Sequence, residues 1–211
     1  MTSLSFPLIC VVTPGRGVSE PLIQAIAAAA RAGASLVHVR ERALDDRQLL
    51  ALVRRAVDVT RGTRAAVVVN DRVDVALAAG AAGVHLREDS VAASRVRTIV
   101  PERFVIGRSV HSVEEARRAE ESGGCDYLVF GTVFASRSKP PGHAVAGVET
   151  LKEVCAAVAL PVVAIGGVTL ARVGELVDAG AAGIAAIDLF ADPERAGEAV
   201  AAARRQFDTR S

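Results

Sequence analysis

The feature of this sequence that most restricts its fold is the regular alternation of short aliphatic runs with longer segments of helical period. Eight such runs predict eight strands: Leu8–Thr13, Leu36–Arg40, Ala65–Asn70, Gly83–Arg87, Phe104–Ser109, Tyr127–Phe134, Pro161–Ile165 and Gly183–Ile187. Strands that alternate with helices form βαβ units and a parallel sheet, because parallel neighbours need a crossover connection. The pattern therefore predicts an α/β fold.

The segments between the strands predict helices that would cover the sheet. The clearest are Pro21–Arg31, Asp46–Thr60, Val113–Glu121, Val148–Val158, Leu170–Val177 and Pro193–Phe207. Asp192 and Pro193 place a capping residue before a proline, which predicts the start of the last helix at Pro193.

One βα phrase recurs along the chain. AGASLVHVR, AGAAGVHLR and AGAAGIAAI begin at Ala32, Ala79 and Ala179, and SGGCDYLVF at Ser122 is a looser copy. Each copy places a helix end rich in small residues directly before a strand. This recurrence favours a closed barrel, a single (β/α)8 TIM-barrel domain over residues 1–211. An open flavodoxin-like sheet is the alternative.

Composition narrows the class of protein. Hydrophobic residues make up 51% of the chain and aromatic residues 3%, so the core is expected to be aliphatic. The formal net charge of +1 gives no indication of a nucleic-acid surface. Cys10, Cys125 and Cys155 lack metal-ligand spacing and are expected to be buried free thiols.

Targeting signals are not evident. The first residues carry no basic region, and no apolar run reaches the roughly 18 residues of a membrane span. We therefore expect a cytoplasmic protein with neither membrane nor nucleic-acid partners. The alanine-rich helical faces are compatible with a homodimer and equally with packing on the barrel.

Polar residues gather where the predicted strands end, which is where (β/α)8 barrels place their functional groups. All four histidines lie at such ends or in the loop after strand six. The candidates are His38, Arg40, Asn70, Asp71, Ser109, Thr132, Ser136, Ser138, Lys139, His143, Gly166, Gly167 and Asp188. Their one-sided distribution predicts a single site.

Strand periodicity assigns directions to two of these side chains. If Val37 and Val39 face the helices, His38 and Arg40 point into the barrel mouth. His85 is interpreted either as a core histidine or as a ligand-binding one.

Other candidates carry chemistry of their own. Asp71 has two interpretations, binding Mg²⁺ or pairing with Arg40 or Arg72. The Gly166-Gly167 turn before a helix predicts a phosphate-binding loop, because glycine lets backbone N–H groups approach an anion.

The loop after strand six carries Ser136, Ser138 and Lys139. Two hydroxyls and a cation there would hold a second anionic group. A solvated loop without a ligand is the alternative interpretation.

Taken together, these motifs resemble the thiamine phosphate synthase/TenI family. The matching segments are His38–Arg42, Val69–Asp74, Gly83–Leu86, Ile106–Ser112, Phe130–Phe134, Ser136–Pro140 and Ala164–Val168. They cover strands two to seven in the order expected for the family.

The resemblance implies one of two activities on phosphorylated thiazole or pyrimidine ligands. Synthases use Mg²⁺ to join a pyrimidine pyrophosphate to a thiazole phosphate and release pyrophosphate. TenI-type tautomerases move a proton in a carboxythiazole phosphate and need no metal.

The resemblance also implies residue roles. Arg40, Asn70 and Lys139 match contacts to pyrimidine and pyrophosphate, and Asp71 matches one Mg²⁺ ligand. Ser136 and Ser138 match family positions whose hydroxyls lie beside the thiazole and the pyrophosphate. Gly166 and Gly167 match the family's phosphate-binding loop.

The sequence departs from both branches. Ser90 stands where synthases have a second acidic Mg²⁺ ligand, and His38 and Arg42 replace a glutamine and a lysine. Thr132 stands where tautomerases have their acid–base histidine, so His143 or His38 would transfer the proton.

The altered metal site leads us to expect a TenI-type tautomerase, with His38, Arg40, Lys139 and His143 as its catalytic groups. Asn70, Ser109, Thr132, Ser136, Ser138, Gly166, Gly167 and Asp188 are expected to bind the substrate. The alternatives are an Mg²⁺-dependent thiamine phosphate synthase and a non-catalytic ligand-binding protein. Asp188 is unusual here, since its charge would oppose that of a phosphate.

Overall fold

Eight parallel strands close into a barrel in sequence order, as the recurring βα phrase predicts. The structure, a computed structural model, describes residues 4–136, 142 and 144–209. The strands are β1 (Leu8–Val12), β2 (Leu36–Val39), β3 (Ala66–Asn70), β4 (Gly83–Leu86), β5 (Val105–Val110), β6 (Tyr127–Phe130), β7 (Val162–Ile165) and β8 (Gly183–Ala186). Because β1 pairs with β8, the open-sheet alternative is excluded.

Helices follow the strands and form the outer layer. They are α1 (Glu20–Arg31), α2 (Asp46–Thr60), α3 (Val73–Ala79), α4 (Ala93–Arg97), α5 (Val113–Glu121), α6 (Gly147–Ala157), α7 (Val173–Asp178) and α8 (Ala196–Asp208). Two 3₁₀ turns, Leu170–Arg172 and Asp188–Phe190, follow β7 and β8. The short helices α3 and α4 are too brief to show a clear helical period in the sequence.

Three predicted boundaries are wrong by three residues or more. β6 ends at Phe130 rather than Phe134, because the next residues turn toward β7 and Val133 donates its N–H to Ile165 O over 2.9 Å. α8 begins at Ala196, since the Asp192 side chain accepts from Glu194 N in a preceding turn. The segment predicted as one helix from Leu170 is a 3₁₀ turn followed by α7.

Side-chain caps fix the starts of three helices, α1, α2 and α5. The Asp45 side chain accepts from Gln48 N, and the Gln48 side chain accepts from Asp45 N, which forms a capping box. Ser19 and Ser112 cap α1 and α5 through their hydroxyls. Each cap satisfies N–H groups that have no partner within the helix.

Strand alternation divides the core into two layers. Val37 and Val39 pack against the helices, whereas Leu36 and its inward neighbours Cys10 and Val68 fill the barrel. The close contact between β1 and β8, which closes the barrel, requires glycine at position 183. A Cβ there would lie 2.1 Å from the carbonyl oxygen of Leu8.

The three cysteines are free thiols, but only Cys10 is buried; Cys125 and Cys155 are half-buried, which corrects the expectation for those two. Burial raises the pKa of the Cys10 thiol to about 12. Within the described part of the chain, every helix falls short of the length and apolar character that a membrane span requires.

Candidate active site

A cavity of about 640 Å³ opens at the carboxyl ends of the strands. Nine predicted residues line it: His38, Arg40, Asn70, Ser109, Thr132, Ser136, Gly166, Gly167 and Asp188. Asp71 lies beside this cavity and does not line it. Ser138, Lys139 and His143 lie outside the described residues. The strand-end pattern thus corresponds to one shared cavity.

Three arginines, Arg40, Arg42 and Arg87, form a cationic group on one side of the cavity, here called the arginine cluster. Burial lowers the pKa of Arg40, and the neighbouring charges of Arg42 and Arg87 lower it further. Mutual repulsion of this kind is relieved when an anion binds between the cations.

Glu41, between Arg40 and Arg42, binds the backbone of the β1–α1 loop. Its side chain is buried, and its two oxygens accept hydrogen bonds from Gly15 N at 2.9 Å and Gly17 N at 2.7 Å. Nearby, Thr13 Oγ1 accepts from Arg40 N at 2.8 Å. These bonds tie the β1–α1 loop to the end of β2. The sequence signal that could have identified Glu41 is an acidic residue between two arginines at a strand end.

Asp71 lies at the end of β3 in a left-handed conformation, with φ of 63°. Its carboxylate accepts a hydrogen bond from the Ser90 hydroxyl and lies 3.8 Å from the Arg87 guanidinium. Arg72 instead pairs with Asp46 and Asp74, so the alternative pairing of Asp71 with Arg72 is not observed.

The ends of β3 and β4 offer a metal ion one carboxylate, from Asp71, and one hydroxyl, from Ser90. The described residues contain no group of three or more acidic, histidine or cysteine side chains suited to a metal. Mg²⁺ in phosphate-processing sites is often held by one or two carboxylates, substrate oxygens and water. Asp71, about one-third exposed, fits such a site when the substrate supplies phosphate oxygens.

His38 has a free nitrogen in a buried position. It is 7% exposed, and its Nε2 has no hydrogen-bond partner among the described residues. Burial, with the nearby His85 and Arg40 charges, holds the pKa of His38 well below its usual range, while a hydrogen bond with Asn70 opposes this. A buried polar atom of this kind in a cavity wall is available to hydrogen-bond water or a ligand in the cavity.

His85 is a structural histidine at the bottom of the same cavity. Its Nδ1 lies 3.1 Å from Tyr127 Oη, and its Nε2 lies 3.0 Å from Ser109 Oγ. Burial lowers the pKa of His85 to about 4, so the ring is neutral at pH 7. Both ring nitrogens are used inside the protein.

His111 is a cavity residue that was not among the predicted site residues. Its Nδ1 donates to Gly131 O, and its Nε2 lies 3.7 Å from the Glu88 carboxylate. The signal that could have found it is its position one residue after β5.

The Gly166-Gly167 turn faces the arginine cluster's cavity from β7. Both glycines have positive φ, 103° and 61°, and a Cβ on Gly167 would lie 2.4 Å from Ala135 O. Within the described chain, no residue accepts a hydrogen bond from the N–H of Gly167 or Val168. Free amides in a glycine turn are suited to binding a phosphate.

Arg172, which was also not predicted, supports this turn. Its guanidinium donates to Gly167 O over 3.0 Å and lies over the Phe134 ring at 4.4 Å. Asp188 lies at the exposed rim of the cavity, where water screens its charge.

Comparison with known proteins gives a consistent result. A family model described as thiamine monophosphate synthase matches residues 8–190. A thiamine-phosphate synthase from Methanoculleus marisnigri is 42% identical over 196 residues, covering 93% of this chain and 90% of that protein. One from a Roseiflexus species is 38% identical over 197 residues, covering 92% and 83%.

Solved structures similar to this chain include a protein of the same kind as these sequence relatives. The thiamine phosphate pyrophosphorylase of Pyrococcus furiosus superposes with a TM-score of 0.84 at 32% identity, covering 96% of both chains. A 3-hexulose-6-phosphate synthase, at 16% identity and a TM-score of 0.72, shares the fold alone; it covers 93% of this chain and 99% of its own.

Proposed function

Because the chain belongs to the thiamine monophosphate synthase family, we propose that it is a thiamine-phosphate synthase. This is the alternative considered from the sequence, and the names of the relatives favour it over the tautomerase expected there. The substrates would be a hydroxymethylpyrimidine pyrophosphate and a thiazole phosphate.

The observation that carries the proposal is that one cavity is lined by two groups of residues suited to binding anions. The arginine cluster lies at the ends of β2 and β4, and the Gly166-Gly167 turn lies at the end of β7. Joining two phosphorylated substrates needs a place for each anionic group. A tautomerase would bind a single phosphate, with a carboxylate as the second anionic group of its substrate.

In the proposed reaction, the thiazole nitrogen attacks the methylene carbon of the pyrimidine. A C–N bond forms, the C–O bond to pyrophosphate breaks, and pyrophosphate leaves with the bonding electrons. Arg40 and its cluster neighbours would stabilise the negative charge that develops on the leaving group. The glycine turn would hold the thiazole phosphate.

His38 and Asn70 would orient the pyrimidine ring. The free Nε2 of His38 offers one hydrogen bond within the cavity, and the neighbouring Asn70 limits the rotation of the ring. Holding the two reacting atoms in line lowers the entropic part of the barrier.

Asp71 would hold Mg²⁺ together with pyrophosphate oxygens. The ion's contribution when bound is neutralisation of the leaving pyrophosphate. Ser90 already contacts the Asp71 carboxylate and keeps it oriented toward the end of β4.

A TenI-type tautomerase is the second candidate, and one observation favours it. Position 90 supplies a hydroxyl, so the corner around Asp71 has less negative charge than two carboxylates would give. Proton transfer would then fall to His38, or to His143, which lies outside the described residues.

The test is formation of thiamine phosphate by the purified protein from both synthase substrates and Mg²⁺. We expect turnover, and a loss of about 10²-fold in kcat/KM for Arg40→Gln, since removing one charge-stabilising donor has that order of effect. Arg47→Gln, an exposed cation on α2, is the matched control and should leave the rate unchanged.

The opposite outcome is also informative. If no thiamine phosphate forms while a carboxythiazole phosphate is tautomerised, the synthase proposal is wrong and the second candidate replaces it. Binding of the thiazole phosphate without either reaction would indicate a non-catalytic ligand-binding protein.

A further inference from the structure

We infer that the buried Tyr127 hydroxyl fixes the tautomer of His85, so that Ser109 directs its hydroxyl hydrogen into the cavity as a donor to substrate. Tyr127 and His85 are thus positioning residues, and Ser109 is the group that touches the ligand. The choice of ligand rests on the proposed function: a pyrophosphate oxygen or a ring nitrogen, both of which accept hydrogen bonds.

The register of three strands brings these groups together. His85 on β4 is opposite Gly107 on β5, and Gly107 is opposite Tyr127 on β6. A Cβ on Gly107 would lie 2.1 Å from Tyr127 Cζ. Glycine at this position therefore lets the tyrosine hydroxyl cross β5 and reach the histidine.

Ser109 completes the row one layer nearer the cavity. It lies two residues beyond Gly107 on β5, and so on the same face of the strand. Its Oγ is 3.0 Å from His85 Nε2, and its side chain lines the cavity. The three polar groups therefore form one chain from the barrel centre to the substrate space.

The direction of the hydrogen bonds follows from burial. Tyr127 is fully buried, and His85 Nδ1 is the one partner that the described residues offer its hydroxyl. If Nδ1 carried the proton, the tyrosine O–H would be a buried donor without an acceptor. Leaving such a donor unpaired costs about 1–3 kcal/mol. The hydroxyl therefore donates to Nδ1.

The protonation state of Nδ1 determines that of Nε2 on the same ring. A neutral imidazole carries one proton, so an acceptor at Nδ1 means that Nε2 is the donor. Nε2–H then donates to Ser109 Oγ, and the serine hydrogen must point elsewhere. Since Ser109 lines the cavity, that hydrogen is available to an acceptor atom of the substrate.

The direct test is the ¹⁵N NMR spectrum of the ligand-free protein labelled at histidine. We expect His85 to carry its proton on Nε2 and to show an unprotonated Nδ1. In Tyr127→Phe, which keeps the ring and loses the donor, we expect a mixture of both tautomers. A wild-type spectrum with the proton on Nδ1 would overturn the inference.

A second variant guards against misfolding of Tyr127→Phe. In Ser109→Ala, the tyrosine still donates to Nδ1, so the Nε2–H tautomer should persist. If the tautomer of His85 changed in Ser109→Ala, the serine and not the tyrosine would set it, and the inference would be wrong.

Kinetics test the role in catalysis. Ser109→Ala should lower kcat/KM for thiamine phosphate formation by about tenfold, and Tyr127→Phe by a smaller factor, because a mixture of tautomers keeps part of the serine donors in place. The double variant should lose no more than Ser109→Ala alone. Additive losses would indicate a merely structural tyrosine. If the wild type forms no thiamine phosphate, the proposed function fails, whereas the NMR spectrum still decides the tautomer.

Discussion

At the scale of single residues, the site depends on what a side chain adds or leaves out. Glycine at positions 166 and 167 allows positive φ and a close approach of the chain to Ala135. Serine at position 90 supplies a hydroxyl beside the Asp71 carboxylate, where a second acid would double the local charge. Both positions can be tested by a single substitution.

Gly167→Asp should weaken binding of thiazole phosphate by about 10²-fold, since the new side chain has no space and its charge opposes the phosphate. Isothermal calorimetry would measure the change. Gly62→Asp is the control, because Gly62 also has a positive φ, 78°, but has nothing within 4 Å of an added Cβ. Equal affinity in Gly167→Asp and wild type would remove the phosphate site from β7.

Ser90→Asp should raise the affinity for Mg²⁺ by roughly tenfold, because two neighbouring carboxylates attract a divalent cation more strongly than one. Without metal, their repulsion should lower the melting temperature, and Mg²⁺ should restore it. Thermal melts with and without Mg²⁺ measure both effects. Identical melts for the variant and the wild type would show that position 90 does not face the metal site.

At the scale of elements, the β1–α1 loop is joined to β2 by hydrogen bonds to one buried carboxylate. Glu41 accepts from two loop amides, and the adjacent Arg40 and Arg42 line the cavity. The same short segment thus builds the arginine cluster and positions the neighbouring loop. Arg108 does similar work after β4, where it donates to the carbonyls of Glu88, Ser90 and Val91.

Glu41→Gln should lower the free energy of unfolding by about 1–3 kcal/mol, because the buried amide has one acceptor oxygen for two loop N–H groups, and its NH₂ would face the other. Urea denaturation would measure it. Glu20→Gln is the control, since Glu20 forms an exposed ion pair with Arg55, worth at most about 1 kcal/mol. A loss no larger than that of Glu20→Gln would contradict the role assigned to Glu41.

At the scale of the whole molecule, closing the barrel buries two histidines at the base of the cavity. His38 and His85 are 7% and 2% exposed, and their ring centroids are 4.6 Å apart. Neither ring can gain a proton without a large loss of hydration. The stability of the complete fold therefore depends on pH through these two side chains.

We expect the free energy of unfolding to fall as the pH is lowered from 7 to 5. The pKa of His85 is about 4 in the folded protein and 6.5 when unfolded, so the unfolded chain binds more protons in this interval. The contribution of His85 is complete above pH 6.5 and is lost as the pH falls toward 4, by at most about 1.4 kcal/mol per pH unit. The lowered pKa of His38 acts in the same direction. Urea denaturation at several pH values measures the slope.

His85→Gln should show a shallower slope than the wild type, because one of the two buried titrating groups is gone. A wild-type protein that is equally stable at pH 7 and pH 5 would contradict the assignment of neutral, buried histidines.

The sequence by itself determined the fold class and the ends of the strands that carry the site. Strand periodicity and the recurring βα phrase depend on neighbours along the chain, and so do the glycine turn after β7 and the polar strand ends. These local patterns were enough to predict eight parallel strands and a shared cavity lined by His38, Arg40 and Asn70.

Only the tertiary structure decided which groups pair across strands. That Ser90 contacts Asp71, that Glu41 binds the β1–α1 loop, and that Tyr127 reaches His85 past Gly107 all depend on strand register. The residues in each pair are 19 to 42 positions apart in the chain. Periodicity assigns a side chain to a face, whereas register and barrel closure decide what it meets there.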